Sequence, residues 1–218
     1  MRFAAPQAPA ENRSAINDGL TNRICPQANP LWSAAASQFI ASQSLGLPAL
    51  NLTFSVPPAN ASSPVPPQDP RESEDCLFLD VFVPEDVLSQ AGQGYGAAVL
   101  VWIYGGGYTA GNKNNNPAGL LAASGNATNG DVIYVAMNYR TGVFGFQAGP
   151  SFNAEGGVSN AAFYDQRFAL EWVQKYIHLF GGDKNRVVRN VYVRTACETY
   201  TDFVYVSLDC FRRECWWR

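Results

Sequence analysis

Ala97-Ala98-Val99-Leu100-Val101-Trp102-Ile103 is an unbroken apolar run that passes through Tyr104 into three consecutive glycines, Gly105-Gly106-Gly107. A short apolar run without polar alternation reads as a strand covered on both faces, and such strands belong to sheets flanked by helices. The glycines end it in a bend with bare backbone, so its N–H groups can be approached closely by a ligand oxygen. Two more runs share the pattern: Cys76 to Val83, stopped by Pro84, and Val132 to Met137. Three strands of this kind predict an α/β fold ahead of a β-sandwich.

One helix is well marked. Asn160 stands where a cap is needed, and Phe163, Leu170, Val173, Ile177 and Phe180 recur at helical spacing until Gly181-Gly182. That stripe predicts a helix packed with one face on the sheet. His178, the single histidine, falls one position off the stripe, where a surface imidazole suits the helix C-terminus; a catalytic base is the rival reading. Pro57-Pro58, Pro64, Pro66-Pro67 and Pro70 predict an extended surface loop ahead of a docking motif for a proline-reading domain.

A chain of 218 residues with 47% hydrophobic content is large enough for one sizeable core. Its formal charge of -3 gives no electrostatic reason to expect nucleic acid or an anionic membrane as partner. No apolar run approaches the length of a membrane span, and Met1 to Pro6 lacks the apolar segment of a signal peptide. Asn12, Asn51, Asn60 and Asn126 each open an Asn-x-Ser/Thr acceptor, which points to a secreted parent protein whose leader is missing from this chain. Five cysteines, Cys25, Cys76, Cys197, Cys210 and Cys215, leave at least one unpaired.

The composition changes near the end. All 19 glycines and 14 prolines lie at or before Gly182, and the last 36 residues contain neither. Residues 1–182 carry 8 basic and 13 acidic side chains, whereas 183–218 carry 7 and 5, so the net charge turns from -5 to +2. A globular domain seldom drops both turn-forming residues at once, so a seam is expected near Arg186 to Arg189.

Two rival readings of the glycine bend come first, a nucleotide site and a plain turn. Gly105-x-Gly107-x-x-x-Gly111 loosely matches a dinucleotide fingerprint, but Asn112 to Pro117 makes a poor first helical turn and Asp131 begins the next strand instead of ending it. A purely structural turn is the other.

Four further motifs favour a different reading. Val99 to Tyr108 resembles the oxyanion-hole segment of type-B carboxylesterases, the family of cholinesterases and of fungal extracellular lipases and esterases. Ser73-Glu74-Asp75-Cys76 with the strand after it resembles the family's second signature, while Asn138 to Phe146 resembles the turn after the family's next strand and Asp165 to Gln174 with Phe180-Gly181-Gly182-Asp183 resemble the helix and loop that lead to its nucleophile strand, all in family order. The resemblance implies an incomplete α/β-hydrolase fold over residues 1–187, followed by a non-family, aberrant tail over 188–218. It also implies a small ester as substrate in the intact family, no cofactor or metal, and an extracellular location. Partner proteins stay unspecified.

Carried over residue by residue, the resemblance makes Gly106 and Gly107 the oxyanion donors, with Tyr104 where many esterases have histidine. It implies a disulfide between Cys25 and Cys76, two buried thiols being the alternative, and a structural salt bridge between Arg2 and Glu74. The family places its nucleophile in Gly-x-Ser-x-Gly about ten residues past Asp183. This chain has Val187-Val188-Arg189-Asn190-Val191-Tyr192-Val193-Arg194 there, and no Gly-x-Ser-x-Gly anywhere. Gly157-Val158-Ser159-Asn160-Ala161 is the nearest imitation, with no strand before it. The expected function is therefore a fragment of a carboxylic-ester hydrolase, inactive as it stands. The alternatives are a binding or adhesion protein on a hydrolase scaffold, or a small enzyme using Ser159 or a tail cysteine.

Overall fold

The computed structural model describes residues 2–9, 22–28, 31–46, 69–94, 96–125 and 131–191. The chain divides into two compact units, Ala28–Pro70 and the remainder. In the smaller unit the described structure is chiefly α1 (Leu31–Ser44), which the sequence reading leaves unmarked. Its last turn closes on Gly46 at φ 64°, the left-handed residue that commonly ends helices. Most of the proline-rich loop, and Asn12, Asn51, Asn60 and Asn126, lie outside the described residues.

The larger unit runs β1 (Leu79–Phe82), α2 (Glu85–Ser89), β2 (Ala97–Ile103), α3 (Ala118–Gly125), β3 (Val132–Met137), α4 (Gly142–Phe146), α5 (Pro150–Ala154), α6 (Ala161–Tyr176), a 3₁₀ turn Ile177–Phe180 and β4 (Gly182–Val191). The four strands form one sheet in the order β1-β3-β2-β4. β2 pairs parallel with β3 and β4, while β1 is antiparallel to β3.

Register decides which face is the core. Val99, Val101 and Ile103 stand beside Ile133, Val135 and Met137, and all six are buried with Ala162, Val173 and Ile177 from α6 and the turn after it. Each fully covered aliphatic side chain of this kind is worth about 1.5–3 kcal/mol. On the opposite face Tyr134 and Ala136 are buried, but Leu100 and Trp102 of β2 are only partly covered. The expectation of strands sealed on both faces therefore holds for β3 and only half holds for β2.

Helix α6 differs in two details from the reading of its sequence. Asn160 occupies the cap position, yet its side chain makes no capping bond; its backbone sits left-handed at φ 56°, a conformation that asparagine tolerates better than most residues. Phe163 is 41% exposed, and Ala162 takes the core-facing position in its stead. The Phe163 ring instead meets Phe146 and Tyr108 edge-on, at 5.5 and 6.3 Å between centroids. The first strand is also shorter than expected, because Cys76 is drawn into a disulfide with Cys25 and only Leu79–Phe82 pairs with β3. At the far end β4 runs through Arg186 to Arg189, pairing Val187 to Asn190 with Val99 to Trp102.

Candidate functional site

The end of β2 is fixed from below by a pair of tyrosines. Tyr104 donates its hydroxyl to the Tyr139 carbonyl at 2.6 Å, and Tyr139 donates its own to the Tyr104 carbonyl at 2.7 Å. The Tyr139 N–H also donates to the Tyr104 hydroxyl at 3.2 Å, and the two rings stack with centroids 4.3 Å apart. Both residues are buried, and that burial pushes both phenols well above the ordinary tyrosine range. Tyr104 is thus a buried anchor, its hydroxyl engaged by the Tyr139 backbone.

Above this anchor the chain bends through backbone conformations that favour glycine: Gly106 at φ 131°, Gly107 at φ 63° and Gly111 at φ 127°. A Cβ on Gly106 would stand 2.0 Å from the Ala110 carbonyl oxygen, whereas one on Gly107 would meet open space. The bend closes on the Gly106 carbonyl, which accepts from the N–H groups of Thr109 at 3.2 Å and Ala110 at 3.3 Å and from the Thr109 hydroxyl at 3.1 Å. Tyr108 is itself left-handed at φ 63°. Its carbonyl accepts from the Gly142 N–H at 2.7 Å, and its ring packs 4.7 Å from Phe146. Gly106 and Gly107 are exposed, and neither N–H has a hydrogen-bond partner among the described residues. Chemically, such a bend presents two adjacent main-chain donors to an incoming oxygen.

Several segments brace the bend. Gln27 accepts from the Gly111 N–H at 2.6 Å and donates its side-chain amide to the Gly111 carbonyl at 3.0 Å. Thr141 donates its hydroxyl to the Pro26 carbonyl at 2.7 Å. Asn138 binds three segments at once: it accepts from the Lys113 N–H at 2.9 Å and donates to the carbonyls of Arg23 at 2.9 Å and Cys76 at 2.8 Å. Buried Lys113 pairs with Asp80. Arg140 holds Asp165 through two guanidinium contacts, 2.8 and 2.6 Å, and through its backbone N–H at 3.1 Å. The sequence reading takes in Asn138, Arg140 and Asp165 only as parts of motifs, without their partners, and passes over Gln27, for which the one available signal is its place two residues after Cys25.

The other residues singled out in the sequence fall apart from the bend or from one another. Ser159 donates its hydroxyl to the Asn153 side chain at 2.6 Å, just before α6, and His178 is exposed beyond the other end of that helix. Helical rise separates them by about 25 Å, so they form no nucleophile–base pair. Arg2 and Glu74 form a two-pronged pair at the surface, the Arg2 Nε donating at 2.9 Å, which holds the Glu74 carboxyl below its usual range. The Cys25–Cys76 disulfide spans 51 residues of sequence. Cys197, Cys210 and Cys215 lie outside the described residues. Among the described residues no cluster of potential metal ligands is found, and no helix is long and apolar enough to cross a membrane.

Comparison with known proteins gives this geometry its context. The profile of the Carboxylesterase family matches residues 1–188. Carboxylesterase patB of Penicillium expansum is 42% identical over 200 residues, covering 86% of this chain and 36% of its own length. A secreted lipase of Arthroderma benhamiae is 39% identical over 128 residues, covering 55% of this chain and 24% of its own length. The crystal structure of Aspergillus niger EstA superposes with a TM-score of 0.58 at 30% identity, covering 87% of this chain and 28% of that one. The chain thus spans about a third or less of the relatives it matches. It belongs to the carboxylesterase family, and its mixed sheet with flanking helices is an incomplete α/β-hydrolase fold.

Proposed function

We propose that this chain supplies the charge-stabilising half of a carboxylic-ester hydrolase site and that its 218 residues alone do not turn over an ester. The observation that carries this reading is the pair of exposed N–H groups at Gly106 and Gly107, unpartnered among the described residues, in a bend after β2 where a Cβ on Gly106 would strike the Ala110 carbonyl oxygen and Gly107 is left-handed at φ 63°. When a nucleophile adds to an ester carbonyl, negative charge collects on the carbonyl oxygen, and each fixed donor aimed at it is worth about 2.7–4 kcal/mol in the transition state. In an intact relative a serine would attack, form an acyl-serine intermediate and release it to water. Within these residues nothing in the sequence matches the nucleophile elbow.

The same proposal assigns the parent protein to an oxidising, extracellular compartment. The Cys25–Cys76 disulfide, the four glycosylation acceptors and the likeness to a secreted lipase support it. Residues 188–218 are proposed to be foreign to the family, on the loss of glycine and proline and the change of charge. Reading the transcript across the codons for Asn185 to Asn190 tests this, and a spliced, uninterrupted message for the same tail would count against it.

Two assays test the central reading. The purified, folded chain should show no turnover of a short-chain nitrophenyl ester; turnover abolished by Ser159→Ala would overturn it. Residues 1–187 substituted for the matching segment of patB should yield an active chimera, and a folded but inactive chimera would count against the assignment.

A further inference from the structure

Resting on the reading of Gly106 and Gly107 as oxyanion donors, we propose that Gln27 is a positioning residue for that pair, acting through the main chain of Gly111. The Gln27 carboxamide accepts from the Gly111 N–H at 2.6 Å and donates to the Gly111 carbonyl at 3.0 Å, so one side chain pairs both polar groups of one residue, as a neighbouring strand would. Its Nε2 also donates to the Cys25 carbonyl at 2.6 Å, and its backbone N–H donates to the Glu72 carboxylate at 3.2 Å. Only a group with donor and acceptor side by side makes this double contact, which an amide offers and a carboxylate or thioether does not.

Gly111 transmits the grip. A Cβ there would stand 2.3 Å from the Tyr104 ring, so the glycine sits directly against the buried anchor of β2. The residue before it, Ala110, donates its N–H to the Gly106 carbonyl, whose peptide plane carries the Gly107 N–H. Gln27 therefore fixes the far end of the bend relative to the disulfide-bound segment, and the near end is set by Tyr104. With both ends held, the Gly106 and Gly107 donors keep one direction. Displacing such donors by about 1 Å is enough to cost roughly 10²-fold in rate in a complete site.

The test uses the full 218-residue chain labelled with nitrogen-15 glycine, n-butylphosphonate as an oxyanion mimic, and hydrogen exchange at Gly111. In the unsubstituted protein the Gly106 and Gly107 amide signals should move on phosphonate addition, and the Gly111 amide should exchange about tenfold or more below its unprotected rate. Gln27→Met, which keeps length and removes the amide, should weaken the phosphonate response about threefold or more and release the Gly111 amide. Gln27→Glu keeps an acceptor for the Gly111 N–H and should fall between the two. An equal response in Gln27→Met overturns the positioning role and leaves the donor reading standing. No response in the unsubstituted protein, with Gly111 protected, overturns the donor reading and the positioning role with it. Should Gln27→Met fail to fold, an unprotected Gly111 amide in the unsubstituted protein is sufficient to overturn the proposal.

Discussion

Tyr104 and Tyr139 close a reciprocal loop: each phenol donates to the other's backbone carbonyl, at 2.6 and 2.7 Å, while their rings stack 4.3 Å apart. The pair joins the C-terminal ends of two adjacent parallel strands immediately below the glycine bend. Because both side chains are buried, these hydrogen bonds are made without competition from water.

Tyr104→Phe should therefore be costly although the ring survives. It strips the Tyr139 N–H and carbonyl of their shared partner inside the core, a loss of about 1–3 kcal/mol by the penalty for buried unsatisfied groups. Urea unfolding of the two proteins measures it, and a change below a few tenths of a kcal/mol would show the pair to be dispensable.

The same phenols make stability fall in alkali. Their folded pKa values are raised above the ordinary 10.0, first by desolvation, so the unfolded chain loses these protons at lower pH than the fold does. Stability is thus fully present below about pH 10 and declines above it, by up to about 1.4 kcal/mol per pH unit for each phenol. Tyr134 shifts in the same direction and adds to the decline. Unfolding free energy measured from pH 8 to 11 should fall more gently in a Tyr104→Phe/Tyr139→Phe variant.

Asp165→Ala should be among the most damaging single changes. It leaves the Arg140 guanidinium buried without its carboxylate, a situation that costs about 3–5 kcal/mol. Paired replacement of both residues by apolar ones of similar volume should be milder, and chemical denaturation of the single and double variants gives the comparison.

Neighbouring glycines should respond differently to alanine. Gly106→Ala drives a methyl to 2.0 Å from a backbone oxygen and has to displace the bend, whereas Gly107→Ala meets open space and bears chiefly the left-handed backbone cost of about 1–2 kcal/mol. Thermal unfolding should rank Gly106→Ala well below Gly107→Ala.

Removing the disulfide by Cys25→Ser/Cys76→Ser should lower stability by roughly 4 kcal/mol on the loop-entropy account, given the 51-residue span. Guanidinium titration under non-reducing conditions checks the value.

What the sequence made legible follows from how local each signal is. β2 and β3 announce themselves through runs such as Val99 to Ile103 and Val132 to Met137, because burial on a sheet is written in consecutive residues. The glycine bend is equally local, since its positive φ angles demand a residue type. Phe163 lies outside the core although it fits the apolar stripe, because helical spacing identifies an apolar face but not which of two adjacent positions, 162 or 163, meets the sheet. The capping role expected of Asn160 failed because its left-handed backbone takes the side chain out of capping geometry. Gln27 and Gly111, like Arg140 and Asp165, are polar partners far apart in sequence, and no periodicity connects them.

The hydrogen bonds that tie the glycine bend to Gln27, Tyr139 and Gly142 are made within residues 27–142. A ribosome releasing the chain from its N-terminus delivers all of them before α6 has been synthesised. The donors and acceptors of those bonds are consequently all in the nascent chain ahead of the helix that carries Asp165, the carboxylate that buried Arg140 needs.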